Sequence, residues 1–165
     1  MEKVTKGAVL SADLTKAAYK TQAATMVMKG LTPVTQACGA LFEGIDKPNY
    51  DRYKSLYNTM ASNSPLCMLQ NTSRNCFLGV VILVGLCCNP HRDAGDTVDG
   101  WVADMAFGDF DGGFLDVPQI GRKFQLEQGD VLFMRSALLQ HSVSNTTRGK
   151  RFGVVMFTHQ EMQNE

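Results

Sequence analysis

His91 and Asp93 stand two residues apart, His141 follows much later, and Arg151 comes ten residues after that. Two imidazoles and one carboxylate are the ligand set of non-haem Fe(II) oxygenases, binding one face of the ion and leaving the rest open. His91-x-Asp93 in an extended segment turns both side chains to one side, because strand residues alternate faces. Arg151 opens the apolar run Phe152 to Phe157. Its planar guanidinium suits a carboxylate, which it grips with two parallel hydrogen bonds. A lone H-x-D occurs by chance in many chains. The order distinguishes this set: an apolar strand, the H-x-D pair, a distal histidine on a later strand, then the arginine.

The expected chemistry follows from those types. His91, Asp93 and His141 are the expected metal ligands and catalytic centre, with Fe(II) as the metal. Two of the remaining positions suit a bidentate 2-oxo acid and one suits O₂. The expected co-substrate is 2-oxoglutarate, its distal carboxylate held by Arg151. A carboxylate at position 93 favours hydroxylation, where Gly or Ala would leave room for a halide.

Two kinds of segment must position these groups. Residues 1–62 read as helical support. Ser11 or Asp13 is expected to cap a helix running to Lys29, with Gly30 as its stop. Thr32-Pro33 is expected to start a second helix ending at Gly44, and Asn49 to cap a third. In the third, Tyr50, Tyr53, Leu56, Tyr57 and Met60 recur at helical spacing and face a core. Residues 63–165 read as strands: Asn75 to Leu86, buried and broken by Asn89-Pro90; Trp101 to Phe110; Phe114 to Val117; Leu138 to Val143; and Arg151 to His159. Phe124-Gln125-Leu126 and Val131 to Met134 are expected to form a hairpin around Glu127-Gln128-Gly129-Asp130. Asn145 to Lys150 reads as a polar turn. Many short strands with frequent turns predict an α+β, mainly β, single catalytic domain over 1–165. Its expected core is a double-stranded β-helix of the jelly-roll, cupin-like kind, buttressed by the N-terminal helices.

Composition bounds the rest. Sixteen Lys and Arg balance sixteen Asp and Glu, so there is no general electrostatic grip on nucleic acid. No run is long and apolar enough for a membrane span, and no membrane partner is expected. Five cysteines without C-x-x-C spacing suggest reduced thiols in an intracellular compartment, nuclear or cytoplasmic. Cys87 and Cys88 lie near His91 and are expected to pack rather than ligate. No protein partner can be inferred.

The run His91-Arg92-Asp93, Gly100-Trp101, Phe107-Gly108-x-Phe110-x-Gly112-Gly113, Pro118, Gly129-Asp130-Val131, His141 and Arg151 to His159 resembles the TET/JBP branch of Fe(II)/2-oxoglutarate dioxygenases. The resemblance covers about residues 75 to 160. It implies a 5-methylpyrimidine substrate, 5-methylcytosine or thymine, flipped out of DNA. It implies that His91, Asp93 and His141 bind iron and that Arg151 binds 2-oxoglutarate. By the same resemblance Asp96 and His159 contact the base and Phe157 stacks on it. The chain departs from the family at Gly153, where a serine is frequent, and in the seven aspartates between positions 93 and 116. The expected partners are 2-oxoglutarate, O₂ and DNA carrying a methylated base. A small-molecule or protein hydroxylase on the same scaffold is the alternative. A silent cupin-like binding module is a third reading, opposed by the intact ligand set.

Overall fold

The structure, a computed structural model, describes residues 17–63 and 73–163. Two compact units divide between Cys76 and Phe77. The first is helical: α1 (Ala18–Gly30), α2 (Thr32–Ile45) and α3 (Lys47–Asn63). Cys38, Phe42, Tyr50, Tyr53 and Tyr57 are buried. Phe42 stands edge-on to Tyr50 and Tyr53, with centroids 6.1 and 5.3 Å away. The tyrosines spaced for one face therefore do line a core. The helix boundaries fall elsewhere than expected. Ser11 and Asp13 lie outside the described residues. Leu31 keeps helical dihedrals, and its N–H still reaches Val27 O at 2.9 Å, so Gly30 ends α1 without opening a loop. Thr32 is the first residue of α2, and that helix passes Gly44 to end at Ile45. The capping side chain of α3 is Asp46. Its carboxylate accepts the Asn49 N–H at 3.2 Å and the Asn49 side-chain amide at 2.6 Å. Asn49 thus sits inside the helix it was expected to start.

The second unit holds ten strands among the described residues: β1 (Gly79–Val84), β2 (Cys88–His91), β3 (Val102–Phe107), β4 (Phe110–Gly112), β5 (Leu115–Val117), β6 (Arg122–Phe124), β7 (Val131–Met134), β8 (His141–Val143), β9 (Thr146–Gly149) and β10 (Phe152–Phe157). They make two four-stranded sheets, ordered β1-β10-β3-β7 and β2-β8-β5-β6, and a β4-β9 ribbon. Every pairing of these strands is antiparallel. Val102 and Met134 from one sheet bury against Leu115, Val117 and Val143 from the other, with Val155 and Phe157 packed beside them. Two antiparallel sheets packed face to face, with the chain crossing repeatedly between them, form a jelly roll.

Three local readings change. The apolar run before His91 is a strand only over β1, and β1 is an edge whose Val81, Ile82 and Val84 are exposed. Asn89 and Pro90 lie inside β2 instead of breaking the chain. An edge strand tolerates the missing N–H of proline, and the register slips there between Cys88 and His91. The turn at Glu127 forms, with the Glu127 N–H donating to the Asp130 carboxylate at 2.9 Å. Yet β6 pairs with β5 and β7 pairs with β3, so the turn carries the chain between sheets and β6 and β7 form no hairpin with each other. The polar stretch at 146–149 is likewise strand β9. Arg148 ties its ribbon together through Asp111 at 2.6 Å and Asp109 at 3.1 Å.

Candidate metal centre

His91 ends β2 and His141 begins β8, and the two are direct partners across the ladder. Their ring centroids stand 4.5 Å apart. Each ring is fixed by the backbone carbonyl two residues upstream: His91 Nδ1 meets Asn89 O at 2.9 Å, and His141 Nδ1 meets Leu139 O at 3.0 Å. A proton on each Nδ1, donated to that carbonyl, leaves the Nε2 lone pair free. Both Nε2 atoms face Asp93, one 3.5 Å from Oδ1 and the other 3.6 Å from Oδ2. Ligand bonds of about 2.0–2.2 Å to a single ion would bridge such gaps with little movement. Ligand atoms of all three residues lie within 4.8 Å of one another, and the trio could hold a metal ion.

Asp93 reaches this point by a different route from the one its spacing suggests. It lies beyond the end of β2, in a loop that folds back. The Asp93 N–H donates to Ser136 O at 3.2 Å, and the Asp96 N–H donates to Asp93 O at 2.9 Å. Strand alternation is not what aligns it with His91.

The same loop carries Asp96, and the end of β10 brings the other expected substrate residues, Phe157 and His159, to it. Asp96 is buried, and its Oδ2 accepts the Ser136 hydroxyl at 2.6 Å. Burial raises its pKa, which the Ser136 hydrogen bond opposes. Asp96 and His159 form an isolated bridge, and His159 Nδ1 lies 2.9 Å from Gly95 O and 3.5 Å from Asp96 Oδ1. A side chain at Gly95 would strike that imidazole, since a Cβ there would stand 2.9 Å from Nδ1. Phe157 meets His159 edge-on at 4.8 Å. A cavity of about 420 Å³ joins the triad to Asp96, Phe157 and His159. A cleft of about 630 Å³ between Cys87 and Lys123 contains no member of the triad. Cys88 packs against the core, Cys87 is exposed, and both are free thiols.

Arg151 is apart from that cavity wall. It is 3 % exposed and sits at the head of β10, whose alternation puts Arg151, Gly153, Val155 and Phe157 on one face. Its Nε is buried without a hydrogen-bond partner, and so is Thr146 Oγ1. An unfilled buried donor costs about 1–3 kcal/mol, so this arginine fits an anionic group better than it fits a finished core. Gly113 makes the space: at φ +66° it accepts a conformation other residues resist, and a Cβ there would come within 2.6 Å of Arg151 Cδ. At Gly153 a Cβ would stand 3.4 Å from Arg151 Nη1.

Two contributors escape the sequence reading. Ser136 joins the Asp93 backbone to the Asp96 side chain, and nothing in its flanking sequence advertises it. Asp104 is a buried carboxyl on β3 that lines the triad's cavity. Burial pushes its pKa up to about 6, with Arg151 and then His141 opposing the rise. A signal for it existed: a lone acid in the middle of Val-Ala-Asp-Met-Ala-Phe.

No family model matches the chain, and no curated protein matches it. Among solved structures it is similar to NgTET1 in complex with 5mC DNA, with a TM-score of 0.70 at 21% identity. The match covers 93% of this chain and 56% of that one, so this chain spans little more than half the length of that relative. At such identity the likeness speaks for the fold, and it agrees with the jelly roll.

Proposed function

We propose that the chain is an Fe(II)- and 2-oxoglutarate-dependent dioxygenase that oxidises the methyl group of a 5-methylpyrimidine in nucleic acid. One observation carries the reading: His91 and His141 face each other across β2 and β8, each tied at Nδ1, each turning Nε2 to Asp93. That donor set suits Fe(II) and leaves one side of the ion open. When bound, iron would supply O₂ activation coupled to oxidative decarboxylation of 2-oxoglutarate. The residues do the rest. Arg151 holds the distal carboxylate through a guanidinium whose buried Nε is otherwise unfilled. Asp96, kept in place by Ser136, and His159, kept in place by Gly95 O, present polar atoms for the edge of an extruded base. Phe157 offers a ring face, and Leu83 and Val155 give the cavity an apolar lining. The solved complex of NgTET1 with 5mC DNA supports the choice of base.

The test is incubation with Fe(II), 2-oxoglutarate and an oligonucleotide carrying 5-methylcytosine, followed by mass spectrometry of nucleosides. Oxidised base should appear with wild type and vanish with His91→Ala or Asp93→Ala, both of which should stay folded. Asp96→Ala and His159→Ala should cut base oxidation about ten- to a hundredfold while sparing uncoupled succinate formation, because each strands one buried partner. Near wild-type turnover by His91→Ala would refute the metal assignment. A specific feature favours hydroxylation of a small molecule or protein instead: the balanced charge, with seven aspartates at 93–116. Succinate formation without oxidation of any methylated oligonucleotide selects that reading.

A further inference from the structure

Asp104 occupies a place that strand alternation reserves for apolar side chains. It points inward from β3, with Val155 of β10 and Leu132 of β7 beside it in the ladders, and is 9 % exposed. The charged groups acting on it are Arg151 at the head of β10, His141 on β8 and Asp93 beyond β2; Val131 to Met134 of β7 bring none. Arg151 is the strongest attraction. Arg151 is itself 3 % exposed, and the alternation of β10 turns it to the same inward face as Val155, the ladder partner of Asp104. We propose that Asp104 is the internal counter-ion of Arg151 and competes with the distal carboxylate of the co-substrate for it, so that Asp104 determines co-substrate affinity and selectivity. This rests on the reading of Arg151 as the 2-oxoglutarate residue.

Two carboxylates in the field of one buried guanidinium repel, and the one that ionises less readily gives way. Asp104 is that one, since burial already favours its neutral form. When a dicarboxylate enters, Asp104 takes a proton from solvent, and Arg151 turns from internal partner to ligand. A 2-oxo acid lacking the distal carboxylate has nothing to set against Asp104. The charge of Asp104 therefore acts on one co-substrate and not on the other. A merely structural acid would affect both alike.

The experiment is calorimetric titration of the Mn(II)-loaded protein at pH 8 with 2-oxoglutarate and, separately, with 2-oxobutyrate. Asp104→Asn should tighten 2-oxoglutarate about tenfold, the scale of one charge contact in a partly screened site, and change 2-oxobutyrate less than about twofold. Weaker 2-oxoglutarate binding, or equal changes for both acids, overturns the proposal. Should Asp104→Asn fail to fold, wild type still decides the matter. Its preference for 2-oxoglutarate over 2-oxobutyrate should rise severalfold as pH falls from 8 to 6, and a flat ratio overturns the proposal. Wild type that takes up Mn(II) but neither acid overturns the co-substrate reading, and the proposal with it. Wild type that binds 2-oxoglutarate while Asp104→Asn behaves identically overturns the proposal alone.

Discussion

Ionising Asp104 costs the folded chain stability, and the cost has a pH window. Its carboxyl titrates at about 6 when folded and at about 3.9 when unfolded. The folded state therefore holds the proton more tightly. This contribution is fully present below pH 4 and is lost as pH rises through 6. Asp104→Asn, fixed in the neutral form, should match wild type at pH 4 and exceed it at pH 8 by about 3 kcal/mol. Urea unfolding with chelator present measures the difference; one that is the same at both pH values defeats the argument. At this scale the trio His91, Asp93 and His141, which the fold brings together, was legible because histidine and aspartate in that order admit few chemistries. The geometry that seats Asp93 was not, since it depends on Ser136 O, an acceptor far away in sequence. Asp104 went unread because an apolar stretch absorbs one acid without losing its pattern.

Elements show the division between what spacing specifies and what partners specify. Helical spacing of tyrosines told which face of α3 is buried, because that depends only on the helix itself. Its start depends on which nearby carboxylate captures free N–H groups, and Asp46 won. Asp46→Ala should cost the intact chain about 1 kcal/mol in unfolding free energy, while Asn49→Ala should cost clearly less. Equal losses would return the cap to Asn49. The turn at Glu127 teaches the same lesson for strands. Its residues specify a reversal of the chain, but nothing local says whether the next strand stays in its sheet. A jelly roll is built from reversals that do not stay.

For the molecule as a whole, alternating short strands made the fold class readable, and strand order was beyond reach of a single sequence. Charge is the other global property. With a formal net charge of zero, the chain should hold DNA by its pocket more than by its field. Arg92, exposed on the cavity wall, is the cation among the residues lining it. One or two phosphate contacts imply that affinity falls only about three- to twelvefold between 50 and 200 mM salt. Fluorescence anisotropy with a methylated oligonucleotide would measure this. A drop of several hundredfold would mean that a basic surface had been overlooked.

The pairing of His91 with His141 also sets a schedule. The two ligands belong to strands that meet only when the second sheet closes, and Arg151 stands later still, at the head of the final strand. Closing so long a loop must precede any reward from the contact. A chain emerging in order from a ribosome therefore presents one histidine and one carboxylate of the candidate site well before the second histidine, and two donors hold a metal ion more weakly than three. A metal ion that needs all three donors would bind only once the second sheet has closed.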